Sequence, residues 1–189
     1  MSSAAVAELP LVTLADYLAA EDVSEVRHEW VGGRVYAMSG GTERHGLMAG
    51  EVSAALRAGV RAAGCRYFQE GQRLFADRAS YYPDVFVVCG PRGHAQYETD
   101  AVLVVEVLSP STRHTDRREK TKAYASLPSL QLYVLVDPDR RHVEVAEPTP
   151  EGLRWTSYGP GGVVTTPYGP LSVDDLHASL DVMVSTLPT

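Results

Sequence analysis

A chain of 189 residues with 44% apolar composition is large enough for one globular domain, 1–189, with a substantial core. Its formal net charge of −7 and pI near 5.3 argue against a broadly basic nucleic-acid coat and leave room only for a local basic patch. No run approaches the ~20 apolar residues a membrane helix needs, and MSSAAVAELP has neither the basic start nor the apolar stretch of a signal peptide, so a cytoplasmic protein without membrane contact is expected.

Residues 1–10 read as a loose tail. Thr13, with Asp16 three residues on, caps a short helix starting near Leu14. Gly32-Gly33 between Arg27–Val31 and Arg34–Met38 is a two-residue hairpin signal, and alternation along the first strand puts His28 and Glu29 on opposite faces. After a joint at Ser39–Gly41, Thr42 caps a helix from Glu43. Its Leu47, Met48, Val52, Ala55, Leu56 and Val60 recur at helical spacing, and Gly64 stops it. CRYFQEG, QRLFADR and YYPDVFVV read as three strands, or as one long bent strand, a turn and another strand; residues 90–100 read as a polar loop, and Ala101–Leu108 as the central strand, ended by Ser109-Pro110. Ser111 or Thr115 caps a helix to about Leu127. Leu130–Val136 is a buried strand, Asp137-Pro138-Asp139 turns the chain into the alternating RHVEVAE, and LRWTSY and VVTTP follow. A short helix over Val173–Ser179 closes the chain. This is an α/β pattern: a mixed sheet flanked by helices, with an N-terminal β-hairpin and a C-terminal β-meander. Cys65 and Cys89 are too few for a disulfide framework, and Cys89, ending a buried strand, reads as a core thiol suited to a reducing cytoplasm.

The chemistry concentrates between Tyr81 and Lys120. Two Val-, Phe- and Leu-rich strands each carry one carboxylate, Asp84 at the head of the first and Glu106 inside the second. A carboxylate in a strand buried on both faces costs several kcal/mol if left alone, so Glu106 must be paired, protonated or metal-bound. Two carboxylates on adjacent strands, with the backbone carbonyl of Val107, suit Mg²⁺ or Mn²⁺, which prefer oxygen ligands. The plainer alternative is a buried Glu106–arginine pair with Asp84 as a turn residue. The cationic segment that follows contains Lys120 and Lys122, which helix geometry sets about 200° apart, so only one of them can face Glu106. Asp116 and Tyr124 flank Lys120 at i−4 and i+4, which favours it. Glu29 and His45 form a second tier, for a water-mediated metal contact or a phosphate. Arg113, Arg117, Arg118 and Lys122 either track a nucleic-acid backbone or form a solvated helix face. Ser109 lacks the Gly-x-Ser-x-Gly setting of a nucleophile and reads as a hydroxyl bonding the local backbone.

RHEWVGGRVYAMSGG (27–41), His45, YYPDVFVV (81–88), VVEVLSPST (104–112), DRREK (116–120), Tyr124 and LYVLVDP (132–138) together resemble the PD-(D/E)XK nuclease superfamily. Within it, the chain from about Leu14 to Asp181 resembles a large bacterial family of uncharacterised restriction-endonuclease-like proteins. The resemblance implies a restriction-endonuclease-like fold, a metal-dependent endonuclease acting on nucleic acid (DNA before RNA), and Asp84 and Glu106 as metal ligands. The superfamily's lysine two residues after the glutamate is here Leu108, and its role maps onto Lys120. Cutting both strands of a duplex takes two sites, which a homodimer supplies. The rivals are a catalytically inactive relative that binds nucleic acid or protein, and a hydrolase of another phosphoester.

Overall fold

A computed structural model describes residues 10–38 and 40–186, with side chains to Val182. The tail expected over 1–10 lies outside the described residues except for Pro10, and so does Ser39 of the expected joint. The elements run α1 (Leu14–Glu21), β1 (His28–Val31), β2 (Arg34–Ala37), α2 (Glu43–Ala62), β3 (Arg66–Gln69), β4 (Arg73–Ala76), β5 (Ala79–Tyr81), β6 (Val85–Val88), β7 (Tyr97–Glu98) and β8 (Ala101–Val107). Then come α3 (Arg113–Thr115), a π-helical turn (Asp116–Lys120), α4 (Thr121–Ala125), β9 (Leu132–Asp137), β10 (His142–Thr149), β11 (Gly152–Tyr158), β12 (Val163–Thr166), β13 (Gly169–Ser172) and α5 (Val173–Thr186).

Local chemistry sets the starts and turns. Thr13 and Thr42 cap α1 and α2, each accepting from the backbone N–H three residues on. Gly32 and Gly33 take φ of 54° and 92°, the left-handed pair that a tight hairpin turn requires. The strands assemble into a six-stranded sheet, β11-β10-β9-β8-β6-β3, and a five-stranded sheet, β2-β1-β5-β4-β7. In the six-stranded sheet β8 pairs antiparallel with β6 and parallel with β9, so the chain must cross over between β8 and β9, and the segment from α3 to α4 does so.

Both faces of the central strands are buried, which explains their unbroken apolar sequence. Val85, Val87, Val105 and Val107 pack under Met48, Val52 and Leu56 of α2 and Leu176 and Leu180 of α5. Phe86, Val104 and Leu108 pack against Tyr124, Leu127 and Tyr133 on the other side. Each such side chain contributes roughly 1.5–3 kcal/mol by leaving water.

The mixed α/β architecture agrees with the expectation from sequence, with local differences. β5, β7 and β13 are additional short strands, and α5 runs past Ser179. The helix expected to about Leu127 is broken into three pieces around the π turn. Ala55 is exposed on α2, while Ala49 and Ser53 are buried. β10 lies between β9 and β11, so RHVEVAE offers no free backbone edge to another copy.

The expectation of a free core thiol at Cys89 is corrected: Cys65 and Cys89 form a disulfide. The register is the reason. Arg66 pairs with Val88, so continuing the antiparallel ladder by one residue sets Cys65 opposite Cys89, with Cα atoms 4.4 Å apart. The inference to a reducing compartment rested on free thiols and loses that support.

One close approach decides where α2 sits. A Cβ on Gly59 would stand 1.9 Å from the carbonyl oxygen of Tyr168, in the turn joining β12 to β13, whereas one on Gly50 of the same helix would meet nothing within 4 Å. Gly59→Ala should therefore destabilise the fold by about 2 kcal/mol or more through overpacking against backbone. Gly50→Ala should stabilise it by about 0.5–1 kcal/mol. Urea denaturation of the two variants checks the pair, and equal effects would show that the helix shifts freely.

Candidate active site

Glu106 is 2% exposed in the middle of the central strand. Val85 pairs with Val105, so the register continued by one residue sets Asp84 opposite Glu106 on the same sheet face. Asp84 Oδ2 accepts a 2.6 Å hydrogen bond from the Val107 N–H, and His45 Nε2 lies 3.2 Å from the same oxygen. The α2 cap therefore aims His45 at Asp84. Tyr124 donates to Glu106 Oε1 at 2.8 Å, and Lys120 Nζ donates to the same oxygen at 3.1 Å.

Lys120 is the common neighbour. Its Nζ also lies 3.3 Å from Glu29 Oε1 and 3.3 Å from Asp116 Oδ1, and 5.5 Å from the centre of the Tyr81 ring. The π turn spanning Asp116–Lys120 contributes to this placement by adding a residue to the turn, a feature often found at functional sites. Thr121 Oγ1 and Tyr133 Oη both donate to the Asp116 carbonyl there, at 2.8 and 2.9 Å.

Burial pushes the Glu106 carboxyl well above the usual carboxylate range, with Lys120 opposing and the negative charges of Asp84 and Asp116 adding to it. Burial likewise raises Glu29 and Asp116, and Lys120 offsets part of both shifts. Burial works against the Lys120 ammonium, but the surrounding carboxylates of Glu106, Glu29, Asp116 and Asp84 outweigh it and hold the lysine well above its ordinary value. The hydrogen bond to Asp84 raises His45, with burial opposing.

Glu29, His45, Asp84, Glu106 and Lys120 line a cavity of about 880 Å³, between the β1–β2 hairpin and the loop over Ser109–Thr112, and Asp116 is buried beside Lys120 outside the lining. Five carboxylates, those of Glu29, Glu70, Asp84, Glu106 and Glu119, line it together with one ammonium, one imidazole and the Arg27 guanidinium. Glu29 Oε1 and both Asp116 oxygens are buried without a well-formed hydrogen bond. That surplus of hard, negatively charged oxygen suits a divalent cation, and Asp84, Glu106 and the Val107 carbonyl are the groups that would hold it. Among the described residues no group of three or more His, Cys, Asp or Glu side chains already stands at metal-binding geometry.

The structure thus brings together Asp84, Glu106, Lys120, Glu29 and His45. It does not bring the four remaining basic residues to the cavity. Arg113 pairs with Asp137 at 3.1 Å, Arg117 pairs with Glu144, and Arg118 and Lys122 are exposed. Among the described residues no arginine contacts Glu106, so the plain buried-pair alternative is filled by lysine instead. Ser109 Oγ accepts from the Thr112 N–H, as a strand-ending hydroxyl. Sequence reasoning did not single out Asp116 as a buried carboxylate, Tyr81 beneath the ammonium, or Arg27 and Tyr36 in the cavity lining. Asp116 left a signal in its i−4 spacing from Lys120, and Arg27, Tyr36 and Tyr81 lie within the stretches that carry the family resemblance.

The fold is that of a mixed α/β, nuclease-like protein. The chain superposes on a crystal structure described as a putative nuclease belonging to DUF820 from Anabaena variabilis ATCC 29413, with a TM-score of 0.70, 22% identity, and coverage of 83% of this chain and 93% of that one. Residues 14–175 match the model of the family Uma2, "Putative restriction endonuclease", and the chain belongs to that family. Two relatives come from Synechocystis sp. (strain PCC 6803). The uncharacterized protein slr1290 is 32% identical over 150 residues, covering 77% of this chain and 79% of its own length. The uncharacterized protein sll1609 is 30% identical over 138 residues, covering 70% and 78%. The family supports a nuclease role, and the structural neighbour supports the fold. Among the described residues no helix is long and apolar enough to cross a membrane.

The buried charge has a measurable consequence. A carboxyl whose folded pKa is raised contributes most to stability below its unfolded value, near 4.3 for glutamate, and that contribution is lost as pH rises through the raised folded value. Glu106→Gln should therefore melt higher than the wild type in divalent-free buffer at neutral pH, and the gain should vanish toward acid pH. Thermal melts across pH check this. A variant that is less stable at every pH would mean that Glu106 is fully compensated by its neighbours.

Proposed function

We propose that this protein is a divalent-metal-dependent endonuclease that hydrolyses phosphodiester bonds of nucleic acid, with DNA the first substrate to test and Mg²⁺ or Mn²⁺ the ion. The observation that supports it is the placement of Asp84 and Glu106 side by side in the wall of a cavity, with the buried Lys120 ammonium 3.1 Å from Glu106.

When bound, such an ion neutralises charge developing on the phosphate and lowers the pKa of the attacking water. The chain's own residues do the rest. Val107 N–H and His45 orient Asp84, and Tyr124 orients Glu106. Glu29 and Asp116 hold Lys120 in its protonated form. Lys120 then offers a fixed positive charge to the transition-state phosphate, the role that Leu108, 1% exposed in the core, cannot perform.

Two measurements test this. Mg²⁺ or Mn²⁺ should raise the melting temperature of the wild type but not of an Asp84→Asn/Glu106→Gln double variant, because only the former offers the ion a site. Equal shifts would remove the metal site. In single-turnover cleavage of DNA and RNA at saturating Mg²⁺, Lys120→Ala should slow the reaction by roughly 10²-fold or more, and Lys122→Ala should leave it nearly unchanged. A larger loss for Lys122 would misplace the catalytic cation. Binding without cleavage on either polymer would favour the inactive, nucleic-acid-binding reading.

A further inference from the structure

The cavity is lined by the β1–β2 hairpin, by the loop over Ser109–Thr112, and by Asp84, Glu106 and Lys120. The side chains of Glu106 and Lys120 are only 3% and 6% exposed, and that of Asp84 is 14% exposed. A volume of about 880 Å³ is on the scale of small-molecule sites, not of a groove that seats a double helix. Duplex DNA is stiff over ~50 nm and stacks its bases inward. Its phosphates face outward, but its bases are paired and stacked on one another and offer no free face for a side chain to stack on. An unpaired strand meets no such obstacle.

The hairpin wall carries two groups suited to such a strand. Tyr36 is the cross-strand partner of Glu29, so it stands on the face that looks into the site, one strand further out. It is 52% exposed and, among the described residues, has no ring contact or hydrogen bond through its side chain. The other tyrosines around the site are engaged: Tyr81 donates to Glu119, Tyr82 to Glu21 and Tyr124 to Glu106. Arg27, two residues before Glu29, also lines the cavity and is exposed. Its guanidinium lies over the Tyr82 ring, 5.6 Å from the centroid, and among the described residues it has no carboxylate partner. In a lining rich in carboxylates, Arg27 is a rim cation available to a phosphate.

We infer that the strand this site accepts is unpaired where it is cut: a single-stranded nucleic acid with one base stacked on Tyr36 and a neighbouring phosphate held by Arg27. The inference rests on the phosphodiesterase reading, whose substrate it narrows. Stacking tolerates any base, so the contact selects strandedness and not sequence.

Fluorescence anisotropy with the full-length Glu106→Gln protein in Mg²⁺ tests it, using labelled oligo(dT), oligo(U) and a hairpin duplex as probes. One or both single strands should bind at least ~10-fold tighter than the duplex, and the comparison between them separates DNA from RNA. Tyr36→Ala should weaken single-strand binding roughly 5- to 100-fold, as expected for one lost stacking contact, while Tyr36→Phe should retain it. Arg27→Ala should reduce the slope of log affinity against log salt by ~0.7, the share of one phosphate on a single strand. Duplex binding as tight as single-strand binding, or no effect of Tyr36→Ala, would overturn the inference. Wild-type cleavage of the same probes separates the two claims. Equal cleavage of duplex and single strand retires this inference and leaves the phosphodiesterase standing. Tyr36-dependent single-strand binding without cleavage keeps the strand preference and removes the catalytic reading.

Discussion

The Lys120 ammonium, buried among Glu106, Glu29 and Asp116, is the contact on which the arrangement of this molecule depends. A glutamate in the middle of a strand covered on both faces has no water to solvate it, and an isolated buried charge is expensive. One cation compensates three carboxylates from three different parts of the chain: the hairpin, the central strand and the crossover helix. Each element must arrive in register for the charge to be offset. Even so, negative charge remains in surplus, and Glu106, Glu29 and Asp116 all hold their protons more tightly than free carboxylates do. A stable core would have been simpler with a leucine at 106. A buried charge held at a cost in stability marks this cluster as a candidate functional site.

The lysine's origin gives the site its particular construction. In the nuclease superfamily that the sequence resembles, a lysine is expected two residues after the glutamate; that position here is Leu108, which belongs to the core with Phe86 and Val104. The ammonium comes instead from a π turn in the crossover between two parallel strands. An added residue in a helix turn rotates the side chains beyond it around the helix axis. Lys120 thereby points inward while Arg118 and Lys122 stay in solvent. Arg113 and Arg117 are tied to Asp137 and Glu144 of the six-stranded sheet, so the basic run divides its labour between structure and solvent instead of forming one phosphate-tracking stripe.

The two sheets have distinct roles. The six-stranded sheet supplies Glu106 from inside the fully buried β8 and Asp84 from the residue just before the fully buried β6. The five-stranded sheet supplies Glu29 and one wall of the cavity through the β1–β2 hairpin, whose outer strand is exposed along its length. α2 lies across one face of the six-stranded sheet and is positioned by Gly59 against the β12–β13 turn, while its capped N-terminus delivers His45. The two sheets and α2 together therefore build the acidic pocket.

Much of this was legible in the sequence, because it depends on local rules. The Thr13 and Thr42 caps, the Gly32-Gly33 turn, the unbroken apolar runs around Asp84 and Glu106, and the 200° separation of Lys120 from Lys122 all follow from periodicity, backbone sterics and the cost of burying charge. Family resemblance added the roles expected of those residues. Other features needed the folded chain. The Cys65–Cys89 disulfide exists because an antiparallel register lays the ends of two strands together, and no spacing along the chain announces that pairing. Asp116 reads as one half of a surface i,i+4 pair until the crossover packs it beneath the sheet at 1% exposure. The π turn, the engagement of Arg113 and Arg117, and the standing of Tyr36 beside Glu29 are likewise consequences of long-range packing. Local sequence specifies which elements form and which faces they must bury. Which charges then meet is decided only when those faces close on one another, because electrostatic neighbours are set by distance in space and by the exclusion of water.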